Sequence, residues 1–148
     1  MAYTSALSAY RETRVKTASQ GQLIIMLYDE AVRQLDWGID LLQANAAGQR
    51  DPGKTEIIGK TILKTQEIIT ELMVSLDFEQ GGDIAKNLFS LYTWFNKELL
   101  EANISRDIKR ILSVRNMFNE LRSAWAEIVA KTAAENMGQP SAGINIAG

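Results

Sequence analysis

The sequence predicts an all-α fold, an antiparallel up-and-down four-helix bundle with a short N-terminal helical or extended segment, and three observations carry that prediction. Proline occurs only at Pro52 and Pro140. The long segments between turn signals repeat their apolar residues every 3.6 positions and do not alternate. The connections between those segments are short, which makes successive helices antiparallel neighbours.

The first helix is expected to start at Ser19, whose hydroxyl can cap a free N–H while Gln22 reaches back, with Thr17 and Gln20 as a competing start. It carries Leu23, Ile24, Leu27, Tyr28, Ala31 and Leu35 at helical spacing. It runs to about Asn45, where Gly48, Pro52 and Gly53 supply stop and turn chemistry. A second helix spans about Lys54 to Leu76, with Ile58, Ile62, Thr65, Ile69, Leu72, Met73 and Leu76 as its buried stripe. Gly81 and Gly82 break it.

The third helix, about Asp83 to Asn103, takes Asp83 as N-cap and Ile84, Leu88, Leu91, Tyr92, Phe95, Leu99 and Ala102 as its core face. Ser105 or Asp107 caps a fourth helix bearing Ile111, Val114, Phe118, Leu121, Trp125, Ile128 and Val129. Tyr28 and Tyr92 are expected in the core with their hydroxyls at the rim. The resulting organisation is an N-terminal segment at 1–16, a bundle at 17–132 and a flexible tail at 133–148.

At 148 residues the chain suits one domain, within the common range of about 100–150. Its 16 basic and 18 acidic residues leave a net charge of -2, which argues against nucleic acid or an anionic membrane as the main partner. Cysteine and histidine are both absent. Their absence removes disulfides, thiolate metal sites, imidazole acid/base chemistry and the Ser/His and Cys/His nucleophile pairs, so no enzyme and no cofactor is expected. Asp36 with Asp40, and Glu67 with Glu71, lie one helical turn apart, but both pairs sit on faces expected to be wet. "GKT" at 59–61 falls inside a helix and is not a phosphate loop. No run reaches the roughly 18–20 apolar residues that span a bilayer, and the N-terminus lacks an apolar leader core, so a cytoplasmic location is expected.

More apolar residues are present than four buried stripes require. Met26 and Trp37, Leu63 and Val74, and Phe89 and Leu100 each stand eleven positions apart, three turns along one side of their helices, and Trp94 stands apart from its helix's core face. Such residues either fill the corners of the bundle or meet the N-terminal segment, another subunit or a client. Leu63 and Val74 face away from the core stripe and favour a partner. Tyr10 lies in a segment too poor in apolar residues to fold alone, so its ring is either a plug in a groove or a simple packing contact.

The stretch "AYRETRVKTASQGQLIIMLYDEAV" resembles the amino-terminal signature of the flagellar secretion chaperones of the FliS family, and "KTQEIITELMVSLDFEQGGDIAKNLFSLYTW", "LLEAN" and "LRSAW" continue the match in order, from about Ala9 to Trp125. Gln20 stands where the family commonly has proline, at the first helical position. The resemblance implies a cytoplasmic export chaperone that holds the disordered carboxy-terminal segment of flagellin, prevents premature polymerisation and delivers it to the cytoplasmic domain of the export gate. It also implies that the amino-terminal segment covers part of the groove, which assigns Leu7, Tyr10 and Val15 to a lid. The candidate client-binding residues are Leu63, Ile68, Val74, Phe89, Trp94 and Leu100; for all but Ile68 the assignment rests on helical-wheel geometry. The alternative is a homo-oligomeric helical adaptor, at its simplest a homodimer, with no flagellin client.

Overall fold

The computed structural model describes residues 20–48 and 51–137, in four helices: α1 Gln20–Ala46, α2 Pro52–Val74, α3 Phe78–Ser105 and α4 Ile108–Met137. The all-α bundle expected from the periodicity is what forms. α1 packs against α2 and α4, and α3 packs against the same two, so the helices stand at the corners of a square with α1 and α3 on one diagonal. Ser19 and Thr17, and with them the competing starts of the first helix, lie outside the described residues.

Capping chemistry sets the boundaries. Asp51 accepts a hydrogen bond from the Gly53 N–H at 2.9 Å, and Pro52 occupies the first helical position with no N–H to satisfy, so α2 begins two residues before Lys54. α3 differs more from expectation. Asp77, not Asp83, is its N-cap, its Oδ1 accepting from Glu79 N at 3.0 Å and Gln80 N at 3.1 Å. The first turn that Asp77 captures is followed by a kink at Gly82 (φ 50°, ψ -126°), a conformation that a side chain would strain. The glycine pair thus bends a helix that has already begun.

Asp107 is the residue that caps α4, its Oδ1 accepting from Lys109 N at 3.0 Å, while the Ser105 hydroxyl accepts from Asp107 N at 3.3 Å. α4 continues to Met137, through the helix-forming Ala133 and Ala134 and into the stretch expected as a tail. α1 and α2 approach closely at Gly38, where a Cβ would stand 2.7 Å from Thr61 Oγ1. A larger residue there would push the two helices apart.

The core is aromatic at its centre. Phe118 of α4 packs edge-on to Tyr28 of α1 with centroids 5.7 Å apart, and lies 4.6 Å from Phe95 of α3. Tyr28 and Tyr92 are buried to their hydroxyls, which hydrogen-bond each other at 2.6 Å across the α1/α3 diagonal, so neither hydroxyl sits at the rim. Each finds its polar partner inside the bundle instead of in water. Two other core assignments are corrected. Ile84 is exposed while Ala85 takes the buried position after the Gly82 kink, and Ile128 is exposed. Both exposed side chains lie toward the end of the bundle where α1 begins.

Burial raises the Tyr28 hydroxyl above the ordinary tyrosine value, partly offset by hydrogen bonds with Tyr92 and Trp125. Burial, with Tyr28 alongside, raises Tyr92 further. Replacing Tyr28 by Phe strands the Tyr92 hydroxyl and is expected to cost about 1–3 kcal/mol of stability, most of it recovered in the double Phe variant. The folded state also keeps protons that an unfolded tyrosine releases above about pH 10, so stability is unaffected by the pair below that pH and falls above it. Each retained proton contributes a slope of about 1.4 kcal/mol per pH unit, which the double variant lacks; urea denaturation between pH 8 and 11.5 measures both effects.

Candidate binding surface

The α2/α3 seam is antiparallel, and two contacts fix its register. Gln66 Nε2 donates to the Asn96 carbonyl at 3.3 Å, and a Cβ on Gly59 would meet Asn103 Oδ1 at 3.7 Å. Stepping along both helices from these points brings Leu63 level with Leu100, and Val74 level with Phe89. The two eleven-residue pairs therefore run beside one another for roughly 16 Å, at 1.5 Å per residue. All four side chains are exposed: Leu63 53 %, Val74 73 %, Phe89 42 % and Leu100 54 %.

Between them the seam is closed by neutral groups. Asn96 Nδ2 lies 4.0 Å from Met73 Sδ, and the Thr70 and Thr93 hydroxyls turn back to the carbonyls of Gln66 and Phe89. The floor is thus low in charge. Glu67, one turn from Leu63, has one carboxylate oxygen buried with no hydrogen-bond partner among the described residues, and burial pushes it above the ordinary carboxyl value against the opposing pull of Lys64. The α1/α4 seam is built differently, with Arg115 on Asp36 at 2.8 Å and Arg122 on Asp29 at 2.7 Å. Asp36 is therefore held by an arginine on the neighbouring helix. Among the described residues no three carboxylates cluster where they could hold a metal ion.

The structure divides the residues expected to bind a client. Leu63, Val74, Phe89 and Leu100 share the α2/α3 seam. Trp94, 37 % exposed, lies on the opposite flank of α3, one turn before Glu98, which receives a hydrogen bond from Arg110 of α4 at 2.7 Å. Ile68 is a correction: it is fully buried in the core beside Ile69, because α2 turns a wider apolar arc inward than a single stripe requires. Leu7, Tyr10 and Val15 lie outside the described residues.

Sequence reading missed two members of this surface. Ile104 is exposed one turn beyond Leu100, in a stretch taken as a connection; its four-residue spacing from Leu100 was the available signal. Phe78 is exposed and packs edge-on to Phe89 with centroids 5.9 Å apart, in the turn that the two glycines made look like a linker. At the same end of the bundle a hollow of about 170 Å³ opens between Ile24, Leu76, Ile84, Leu88, Tyr92 and Trp125.

A helical bundle with an exposed apolar seam on one side and an ion-paired seam on the other is a protein-binding module in form. The family described as flagellar protein FliS matches residues 3–132, and the chain belongs to that family. It is 33 % identical over 132 residues to the flagellar secretion chaperone FliS of Salmonella typhimurium, covering 86 % of this chain and 92 % of that one. To the flagellar secretion chaperone FliS of Vibrio cholerae it is 32 % identical over 127 residues, covering 83 % and 88 %. The corresponding figures for FliSB of Pseudomonas aeruginosa are 34 % over 116 residues, 77 % and 84 %. The family is one of flagellar export chaperones and not of enzymes, and a chaperone implies a protein client. Among the described residues no helix is long and apolar enough to cross a membrane.

Surface and core positions on α2 should separate cleanly in a stability measurement. Leu63→Ser is expected to change the unfolding free energy by no more than about 0.5 kcal/mol. Ile68→Ala should lower it by about 2–5 kcal/mol, both read by urea denaturation.

Proposed function

We propose that this chain is a cytoplasmic export chaperone that binds the disordered carboxy-terminal segment of flagellin, keeps it from polymerising and delivers it to the cytoplasmic domain of the flagellar export gate. The observation that carries the reading is the in-register exposure of Leu63, Val74, Phe89 and Leu100 along one seam. An amphipathic client helix laid there would bury apolar stripes that otherwise join flagellin to flagellin. Nothing in that binding calls for a nucleotide or a catalytic group.

Leu7, Tyr10 and Val15 are assigned to a lid that competes with the client. The apolar hollow between Ile24, Ile84 and Trp125 supports this, because α1 starts at Gln20, one turn before Ile24. Five residues of extended chain span at most about 16–18 Å, which brings Val15 and the residues before it within reach of that hollow. A lid that fills it in most free molecules lowers apparent client affinity by the open fraction.

Calorimetric titration with a flagellin carboxy-terminal peptide, followed also by tryptophan fluorescence, tests the central reading. Saturable binding is expected, weakened at least about tenfold by Phe89→Ala. A mass that rises with concentration and ignores the peptide would instead favour a homo-oligomeric adaptor. Deleting residues 1–16 should tighten or speed client binding; unchanged affinity and rate would remove the lid from the account.

A further inference from the structure

At the end of the bundle away from that hollow, a second cavity of about 370 Å³ opens, within the size range of ligand pockets. Leu42, Ile58 and Ile108 form apolar walls, and Asn45, Thr55 and Arg106 supply polar atoms. Arg106 ends α3 in a left-handed conformation (φ 60°), and its Nη1 donates to the Thr55 carbonyl at 3.3 Å. Among the described residues no carboxylate lies within ion-pairing distance of it, so most of its five donors are unused. Asn45 Nδ2 donates to Thr55 Oγ1 at 3.5 Å, and the buried Asn45 Oδ1 accepts no hydrogen bond from the described residues. Two neighbouring carboxylates are already engaged, Asp51 as the cap of α2 and Asp107 on Lys109 N and, at 3.9 Å, Arg110.

The pocket therefore offers a guanidinium for an anion, apolar walls and, once the Asn45 amide turns toward the cavity, an acceptor for an N–H. A peptide chain end supplies all three in one residue: a terminal carboxylate, its own amide N–H and an apolar side chain. The pocket also continues the seam, since a Cβ on Gly59 would meet Arg106 Nη2 at 3.7 Å, one turn beyond Leu63 and Leu100. Resting on the reading that the client is a carboxy-terminal segment, we infer that this cavity receives the client's free carboxy-terminal residue through Arg106 and Asn45. The client then runs in one direction along the seam, from Val74 and Phe89 toward Leu63 and Leu100.

The experiment compares three flagellin carboxy-terminal peptides on the full chain by calorimetry: one ending in the free acid, one in the carboxamide, and one extended by Gly-Ser. The free acid should bind about 10- to 100-fold more tightly than the other two, the range of a hydrogen-bonded charged group. Arg106→Gln should bring the acid down to the amide's affinity and leave the amide unchanged. Equal, tight binding of all three peptides to the unaltered protein overturns the chain-end site while leaving the chaperone reading standing. Binding of none overturns both.

Discussion

The hydrogen bond between the Tyr28 and Tyr92 hydroxyls ties together two helices that otherwise do not pack on one another. α1 and α3 stand on a diagonal of the bundle, and each meets only α2 and α4. Two rings laid end to end, with Phe95 and Phe118 packed beside them, set the width of the core at its centre. A buried polar pair is high in stakes, because either hydroxyl without the other loses its shortest hydrogen bond. An arrangement that keeps both satisfied also fixes the level of α1 against α3. With Tyr92 held by α1, the Gln66–Asn96 contact sets the level of Phe89 and Leu100 along α2.

From that register follows the contrast between the seams. Asp29 with Arg122 and Asp36 with Arg115 lace α1 to α4, seven residues apart on both helices, so the two pairs specify the same antiparallel alignment. Exposed pairs of this kind are each worth no more than about 1 kcal/mol, and their effect is to define alignment more than to stabilise it. They also coat that side of the bundle in charge that a greasy segment would have to desolvate. The α2/α3 side carries charge too, in Glu67 and the Glu56–Lys60 pair of α2, but it also exposes Leu63, Val74, Phe89 and Leu100, and a partner that buries apolar residues gains most there. One fold thus presents two unlike faces.

The fold was legible because each helix repeats an apolar stripe over many turns, and Leu27, Ile62, Phe95 and Phe118 fall inside wherever the wheel is started. Local chemistry was legible only where one reading competed with no other. Pro52 suits a turn as well as the first position of a helix, so α2 starts earlier than expected, and Gly81 and Gly82 indicate equally a linker or a kink; only the N–H groups bound by Asp51 and Asp77 decide. Ile68 and Ile84 fail for different reasons: the Ile68 assignment does not rest on the wheel, and for Ile84 the wheel gives a direction but not how much neighbouring helix stands there to cover it. Ile68 has helices on either side, and Ile84 faces the open end of the core. The seam was half legible, since eleven-residue spacing found both pairs, but bringing them level required knowing how α2 and α3 are staggered.

The size of the seam constrains the partner that suits it. Fully burying a leucine, valine or phenylalanine side chain contributes about 1.5–3 kcal/mol, and the four seam residues have about half of that left to gain, giving roughly 3–6 kcal/mol in all. A disordered segment that folds on binding loses about 2–5 kcal/mol or more to ordering. The seam alone would leave such a segment close to break-even. Firm binding of a disordered client therefore requires contacts beyond those four residues, and the exposed residues that can supply them are Phe78 and Ile104 at the ends of the seam and, off it, Trp94 on the α4 flank of α3 and Ile84 over the hollow at one end of the core. A client long enough to reach both must bend round α3, so the scatter of apolar residues over two flanks of one helix is what a wrapped chain needs and a single docked helix does not. The same division makes release easy to arrange, because losing any one contact region returns the balance toward zero.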